Sequence, residues 1–297
     1  MISGRRAGVN RTAKIAEPPL RDAHAVGTGY THACRQAEHE RGSMSNDFRA
    51  RLRAKQMLLG TMVTLASSSA AEVLAGRGFD WLFIDAEHGA LENGDILRIL
   101  QAVDDRVACV VRVNAPLEVP IKQVLDLGAA GIVAPQVNTA EQAADVVRFA
   151  RYAPAGARGV GLARAHGYGF RFKQYLDSAN DEVAVIVQAE HIRAVESIEA
   201  IVRVPGVDAV LLGPYDLSAS LGRPGRIDDP AVLEAIDHVT RACLSAGVAL
   251  GYFGVTAEAV RPYIERGYTL IVAGVDTLFL GSGAQRVLEE LGGKPSV

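Results

Sequence analysis

From Met57 onward the chain alternates between short apolar runs rich in β-branched residues and stretches with helical periodicity. The runs are Leu58–Leu65, Trp81–Asp85, Val107–Val113, Gly131–Ala134, Val183–Ala189, Asp208–Gly213, Val248–Phe253 and Thr269–Ala273. Helix-like segments lie between most of them: Ala70–Arg77, Asn93–Asp104, Val119–Leu127, Ala140–Arg151, Ala194–Val202, Pro230–Ala246 and Ala257–Arg266. Short, nearly continuous apolar runs read as strands buried on both faces, which is the pattern of a parallel sheet. Eight strand–helix units in about 250 residues predict an α/β fold, a closed (β/α)8 barrel in a single domain. An open doubly wound sheet is the competing architecture. It would carry a glycine-rich phosphate turn after its first strand, and here that position reads Ala66-Ser67-Ser68-Ser69.

Residues 1–43 do not share this rhythm. They hold seven Lys/Arg against four Asp/Glu, and three of the seven histidines, with no hydrophobic period. They are expected to be a disordered extension, with 44–297 as the barrel domain and Met44 as its working start. No apolar central stretch marks a secretory signal, and the four acids argue against a transit peptide. His32 and His39 read as solvated tail histidines rather than metal ligands. The net charge of −3 leaves no polybasic footprint for nucleic acid. Cys34, Cys109 and Cys243 lie far apart without a CxxC pair, which excludes a disulfide scaffold and fits a reducing cytosol. No apolar run reaches the roughly 18 residues of a membrane span. The long connection from Ala134 to Val183 carries a glycine-rich stretch through Gly169-Phe170. Its composition predicts a functional lid.

In a barrel of this kind the chemistry sits at the C-terminal ends of the strands. Strand 2 closes in Asp85-Ala86-Glu87-His88, strand 3 in Arg112-Val113-Asn114, strand 5 in Gln188-Ala189-Glu190 and strand 6 in Gly213-Pro214-Tyr215-Asp216. Taken singly, each charge could be a local ion pair, and Asp216 could be a helix N-cap before Leu217. Polar ends on one face, so many together, are harder to explain by capping. Glu190 and Asp216 suit a hard divalent cation, Mg²⁺, Mn²⁺ or Co²⁺, whose remaining positions go to water and substrate oxygens. His191, next to Glu190, reads as structural or solvent-facing. His88 is the natural proton-transfer group, with Asp85 or Asp126 as the carboxylate that orients it. Arg112 offers a planar cation for a developing oxyanion.

Lysine is informative by its scarcity. The body carries only Lys55, Lys122, Lys173 and Lys294, none at a predicted strand end. A Schiff-base mechanism needs a lysine in the mouth, so a metal-dependent enolate mechanism is favoured over an imine. There is no GxSxG elbow and no Walker A loop.

At these residues the chain resembles the HpcH/HpaI aldolase family of metal-dependent pyruvate aldolases. The similarity runs from about Gly60 to Leu291. It rests on GFDWLFIDAEHG (Gly78–Gly89), VVRVN (Val110–Asn114), LDLGAAGIVAPQVNTAEQA (Leu125–Ala143), RYAPAGARGVG (Arg151–Gly161), VQAE (Val187–Glu190) and LLGPYDLSASLG (Leu211–Gly222), in that order. The resemblance implies a (β/α)8 barrel and assembly as hexamers built from dimers that exchange a C-terminal helix. It implies His88 as general base, Arg112 as transition-state stabiliser, Asp126 as the residue raising the basicity of the histidine, and Asp85 as a further matching aspartate. It implies Glu190 and Asp216 as metal ligands, Gln188 as a substrate contact and Tyr215 as a backbone contact where many relatives carry alanine. Ser67-Ser68-Ser69, where many relatives have proline, and GLARAHGYGF (Gly161–Phe170) depart from the pattern.

The implied activity is reversible cleavage of a 4-hydroxy-2-oxo acid, of the 4-hydroxy-2-oxoheptanedioate or 2-dehydro-3-deoxyglucarate type, to pyruvate or a close analogue such as hydroxypyruvate plus an aldehyde. Alternatives on the same site are a citrate-synthase-like condensation and decarboxylation of an oxaloacetate-like acid. A non-catalytic sugar-acid-binding barrel is a third. The expected partners are a small 2-oxo acid, an aldehyde and further copies of the chain, in the cytoplasm.

Overall fold

The computed structural model describes residues 47–293. The expectations placed on residues 1–43, including those for Cys34, His32 and His39, lie outside them, as does Lys294. A short helix, α1 (Phe48–Arg53), precedes the barrel. Eight parallel strands then close on themselves in sequence order: β1 (Leu58–Val63), β2 (Trp81–Asp85), β3 (Ala108–Arg112), β4 (Gly131–Ala134), β5 (Ala184–Ala189), β6 (Ala209–Leu212), β7 (Ala249–Gly254) and β8 (Leu270–Val275). Pairing of Leu58 with Leu270 shuts the ring. The (β/α)8 barrel expected from the alternation is therefore the observed fold.

Two apolar clusters divide the core. One fills the barrel with Met62, Phe83, Val110, Val133, Ile186, Leu211 and Val272. The other lies between strands and helices, with Leu82, Ile84, Val111, Ile132, Val185 and Ile271. The split follows from the two-residue period of a strand, which sends neighbours to opposite faces. The interior is closed by Trp81, whose ring lies 5.7 Å from Phe48 on α1. Trp81 Nε1 donates to the Leu58 carbonyl at 3.3 Å. Gly60 makes room for that indole, since a Cβ there would fall 2.5 Å from Nε1.

The helices are α2 (Ser68–Ala75), α3 (Asn93–Val103), α4 (Glu118–Asp126), α5 (Ala140–Ala150), α6 (Phe172–Glu182), α7 (Ile192–Glu196), α8 (Ile198–Ile201), α9 (Pro214–Ser220), α10 (Pro230–Ala246), α11 (Ala257–Glu265) and α12 (Asp276–Glu290). The sequence pattern places α10 at its observed bounds. It reads α7 and α8 as one helix, whereas the chain breaks at Ser197. Among the described residues no helix is long and apolar enough to cross a membrane.

The lid expected in the 134–183 connection is not what forms. Arg158 is buried, donates to Asp126 on α4 at 2.7 Å and stacks 4.5 Å from the Tyr152 ring centre. Arg164 donates to the Leu127 and Leu100 carbonyls, and the buried His166 ring takes the Gly169 N–H at 3.0 Å. These bonds pin the loop along α3 and α4, away from the strand ends that carry the polar residues. Glycine here serves the tight turn at Gly167 and Gly169, both at positive φ.

Candidate active site

Strands β2 and β3 end side by side in register, Asp85 beside Arg112, and so do β5 and β6, Gln188 beside Leu211, with β4 between the two pairs. That register turns four separate sequence motifs into one site. Arg112 is buried and forks onto Asp85, with Nε and Nη2 donating at 2.8 and 2.7 Å. Its Nη1 lies 3.2 Å from Glu87 Oε2 and 3.5 Å from Gln188 Oε1. Burial opposes the charge on both partners, but the paired bonds outweigh it. They hold the Asp85 carboxyl below the usual range and push the Arg112 guanidinium up.

Asp85 also accepts from the backbone N–H groups of Glu87 and His88, at 3.1 and 3.3 Å. It therefore shapes the turn that presents His88 and does not touch the imidazole. The carboxylate beside that ring is Glu87, whose Oε2 is 4.0 Å from His88 Nε2. The His88 side chain is 64% exposed, on the rim. Asp126, the other acid expected to act on His88, sits at the end of α4 and is paired with Arg158. Within this chain the structure does not bring it to the histidine.

Glu190 is 1% exposed. Its Oε1 accepts from the Gln136 N–H at 2.7 Å and its Oε2 from the Gln188 amide. Gln136 reaches it by adopting φ 54°, a left-handed conformation uncommon for a side-chain-bearing residue. Gly213 lets Glu190 lie against the end of β6, since a Cβ there would come within 2.8 Å of Glu190 Cβ. Burial pushes the Glu190 carboxyl up to about 7, helped by the charges of Glu87 and Asp216 and opposed by the Gln136 N–H and Arg112. Burial raises Glu87 as well, against the pull of Arg112 and His88.

Asp216 lies inside the first turn of α9, which is capped at Gly213. It is therefore not an N-cap, and its carboxylate is left for the site. His191 caps α7, Nδ1 accepting from the Arg193 N–H at 3.1 Å, as its structural reading required. The cavity over these groups has a volume of about 350 Å³, and Asp85, His88, Arg112, Gln188, Tyr215 and Asp216 are among its lining residues.

The donor set fits a hard cation. Glu190 and Asp216 offer carboxylate oxygens, the donors a hard cation takes, and Glu87 Oε2 is buried yet accepts no hydrogen bond. Crowding so many carboxylates raises their affinity for protons or for a dication. Among the described residues no three His, Cys, Asp or Glu side chains converge on one point. Glu190 and Asp216 could share such an ion, since two carboxylates completed by water and substrate oxygens suit a hard dication. Sequence reasoning placed Glu87 and Gly213 at the strand ends but gave neither a role, and it did not place Gln136 at the site. The signal for Glu87 was present, an acid two residues past Asp85 and adjacent to His88.

Together these features define a class: a (β/α)8 barrel with an acidic, arginine-bearing site at the C-terminal ends of its strands. The chain belongs to the HpcH/HpaI aldolase/citrate lyase family, whose model matches residues 58–281. It is 41% identical to the hydroxypyruvate/pyruvate aldolase of Cupriavidus necator over 85% of this chain and 94% of that one. It is 39% identical to the 4-hydroxy-2-oxo-heptane-1,7-dioate aldolase of Shigella flexneri, over 86% and 96% of the two chains. A crystal structure of a family protein from Burkholderia cenocepacia superposes with a TM-score of 0.80 at 40% identity, covering 83% of this chain and 99% of that one.

Proposed function

We propose that the protein is a divalent-metal-dependent aldolase that cleaves a 4-hydroxy-2-oxo acid to pyruvate, or hydroxypyruvate, and an aldehyde. The carrying observation is one cavity at the strand ends lined by His88, Arg112, Gln188 and Asp216, with Glu190 joined to it through Gln188. The names of the relatives, 4-hydroxy-2-oxo acid and hydroxypyruvate/pyruvate aldolases, support the reading.

Glu190 and Asp216 would hold Mg²⁺, Mn²⁺ or Co²⁺. Bound there, the cation supplies Lewis acidity to the carbonyl of a 2-oxo acid. The chain's own residues do the rest. Arg112, locked by Asp85, presents a fixed cation to the oxygen that gains charge. Gln188 bridges Arg112 and Glu190, its carbonyl facing the guanidinium and its amide N–H bound to the carboxylate, so it sets the spacing between the two. In cleavage the C3–C4 bond breaks, its electron pair stays on C3, and the 4-hydroxyl loses its proton as C4 becomes the aldehyde carbon. His88 on the rim takes that proton, and C3 of the enolate is then protonated to give the pyruvate methyl group. Asp85, through the turn it ties, and Glu87, beside the ring, position His88. The described lysines, Lys55, Lys122 and Lys173, are absent from the cavity lining, which supports a mechanism without a Schiff base.

The chain is also proposed to act as a homo-oligomer, a hexamer built from dimers that exchange the C-terminal helix α12. Of that helix only Asp276 is buried, while Leu278, Leu280, Val287 and Leu288 are exposed. Leu59, on the outer face of β1, is 43% exposed where a helix would ordinarily cover it. Asp276 also accepts from the Thr64 hydroxyl and the Thr64 and Leu65 N–H groups, so the root of α12 is tied to the cavity wall. The free buried thiols of Cys109 and Cys243 suit the cytoplasm.

Turnover of 4-hydroxy-2-oxo acids, read as pyruvate release with Mg²⁺ or Mn²⁺ and then with excess EDTA, tests the activity. Metal-dependent release is expected, and release that survives EDTA would refute the metal reading. Light scattering of the eluting protein tests the assembly, and a monomer would refute it.

A further inference from the structure

Resting on the aldolase reading, we propose that the aldehyde partner is uncharged, and that the site selects against substrates carrying a second carboxylate at the far end. Three features of the cavity lead there. Its walls beyond the charged groups are apolar: Met62, Phe83, Leu211, Phe253 and the ring of Tyr215. Among the described lining residues the only cation-capable side chains are Arg112 and His88. Arg112 is already committed, forked onto Asp85 and 3.2 Å from Glu87. The His88 ring lies beside the same Glu87.

The second feature is charge. Asp85, Glu87, Glu190 and Asp216 all act on this site. These four carboxyl groups stand against one guanidinium, which is already paired with Asp85 and Glu87. The head carboxylate of the substrate can go to the ion. Among the described lining residues a tail carboxylate would meet no cation that is not already beside an acid, and burying an unpaired charge against apolar walls is unfavourable.

The third feature is Thr64. Its hydroxyl donates to Asp276 Oδ1 at 2.8 Å, so it turns only lone pairs toward the cavity it lines. An oxygen acceptor there tolerates an alkyl group or takes a substrate hydroxyl. It repels a carboxylate.

The test is a matched pair. 4-Hydroxy-2-oxoheptanoate yields pyruvate and butanal, and 4-hydroxy-2-oxoheptanedioate yields pyruvate and succinic semialdehyde. Both are read by the same pyruvate-coupled assay in Mn²⁺. A kcat/KM at least tenfold higher for the monoacid is expected, and equal or higher kcat/KM for the diacid overturns the proposal. Tyr215→Arg places a cation at an exposed rim position, where folding is not at stake. It should shift the ratio toward the diacid by fivefold or more, and an unmoved ratio counts against the electrostatic argument. Pyruvate release from neither acid by the Mn²⁺-loaded wild-type protein would instead overturn the aldolase reading itself.

Discussion

Separating the stability contributed by the Asp85–Arg112 pair from its chemistry gives a quantitative prediction. Both side chains are buried and joined by two charge-assisted hydrogen bonds. Removing one member of a buried pair costs about 3–5 kcal/mol, because the other is left as an uncompensated charge. Asp85→Ala should fall at the low end, about 3 kcal/mol, since Glu87 still stands 3.2 Å from the guanidinium. Loss of the carboxylate that accepts from the Glu87 and His88 N–H groups adds to this. At roughly 2–4 °C per kcal/mol for a domain of this size, Tm should drop by about 6–12 °C. The double substitution Asp85→Leu with Arg112→Met replaces the pair by apolar volume, and such replacements are often neutral for stability. It should recover most of the lost Tm and none of the aldol cleavage. Calorimetry and steady-state kinetics, at one protein and metal concentration, read both. An unchanged Tm for Asp85→Ala would show the pair is not the strut described, and activity in the double variant would remove Arg112 from the reaction.

Other outcomes follow from the same site. The Glu190 carboxyl is raised to about 7, so the folded protein favours its protonated form. In EDTA, stability should therefore fall as pH rises from about 4.5 to about 7. Glu190→Gln should flatten that slope in a Tm-versus-pH series, and a Tm that climbs equally for both proteins would contradict the assignment. Metal binding near pH 6 should release a proton, measurable by calorimetry in buffers of different ionisation enthalpy. His88→Ala should lower aldol cleavage by about 10²- to 10⁴-fold with bound metal unchanged; loss of the metal would make His88 a ligand instead. Arg112→Lys should also be severely impaired in kcat/KM, because an ammonium cannot reproduce the fork that Asp85 holds.

The barrel was legible because a parallel sheet buried on both faces leaves an unambiguous trace of apolar runs, all eight of which became strands. Helices that bury little left a weaker one. In α6 only Ala179 is fully buried and in α12 only Asp276, so neither shows a core-facing stripe to read. In α12 Phe279 lies over Gly274 of β8, while Leu278, Leu280, Val287 and Leu288 are exposed. At the site, Arg112, Gln188, Glu190 and Asp216 were visible as polar residues closing apolar strands. Their pairings were not, because register and turn geometry decide them. Asp85 turned to Arg112 and to backbone N–H groups, and Asp126 turned to Arg158. The Gln136 N–H that holds Glu190 depends on one left-handed backbone angle that no residue type announces.

The most direct test of the central claim needs no aldehyde. If the strand-end acids hold a dication that lets a 2-oxo acid form its enolate, the pyruvate methyl protons should exchange with solvent deuterium in the presence of enzyme and Mg²⁺ or Mn²⁺. Proton NMR follows this signal with time. The exchange is predicted to stop on addition of EDTA, to return with excess Mn²⁺, and to be absent in Glu190→Ala and Asp216→Ala proteins that keep their circular dichroism. Exchange that persists in EDTA, together with borohydride trapping of pyruvate on a lysine, would contradict the account.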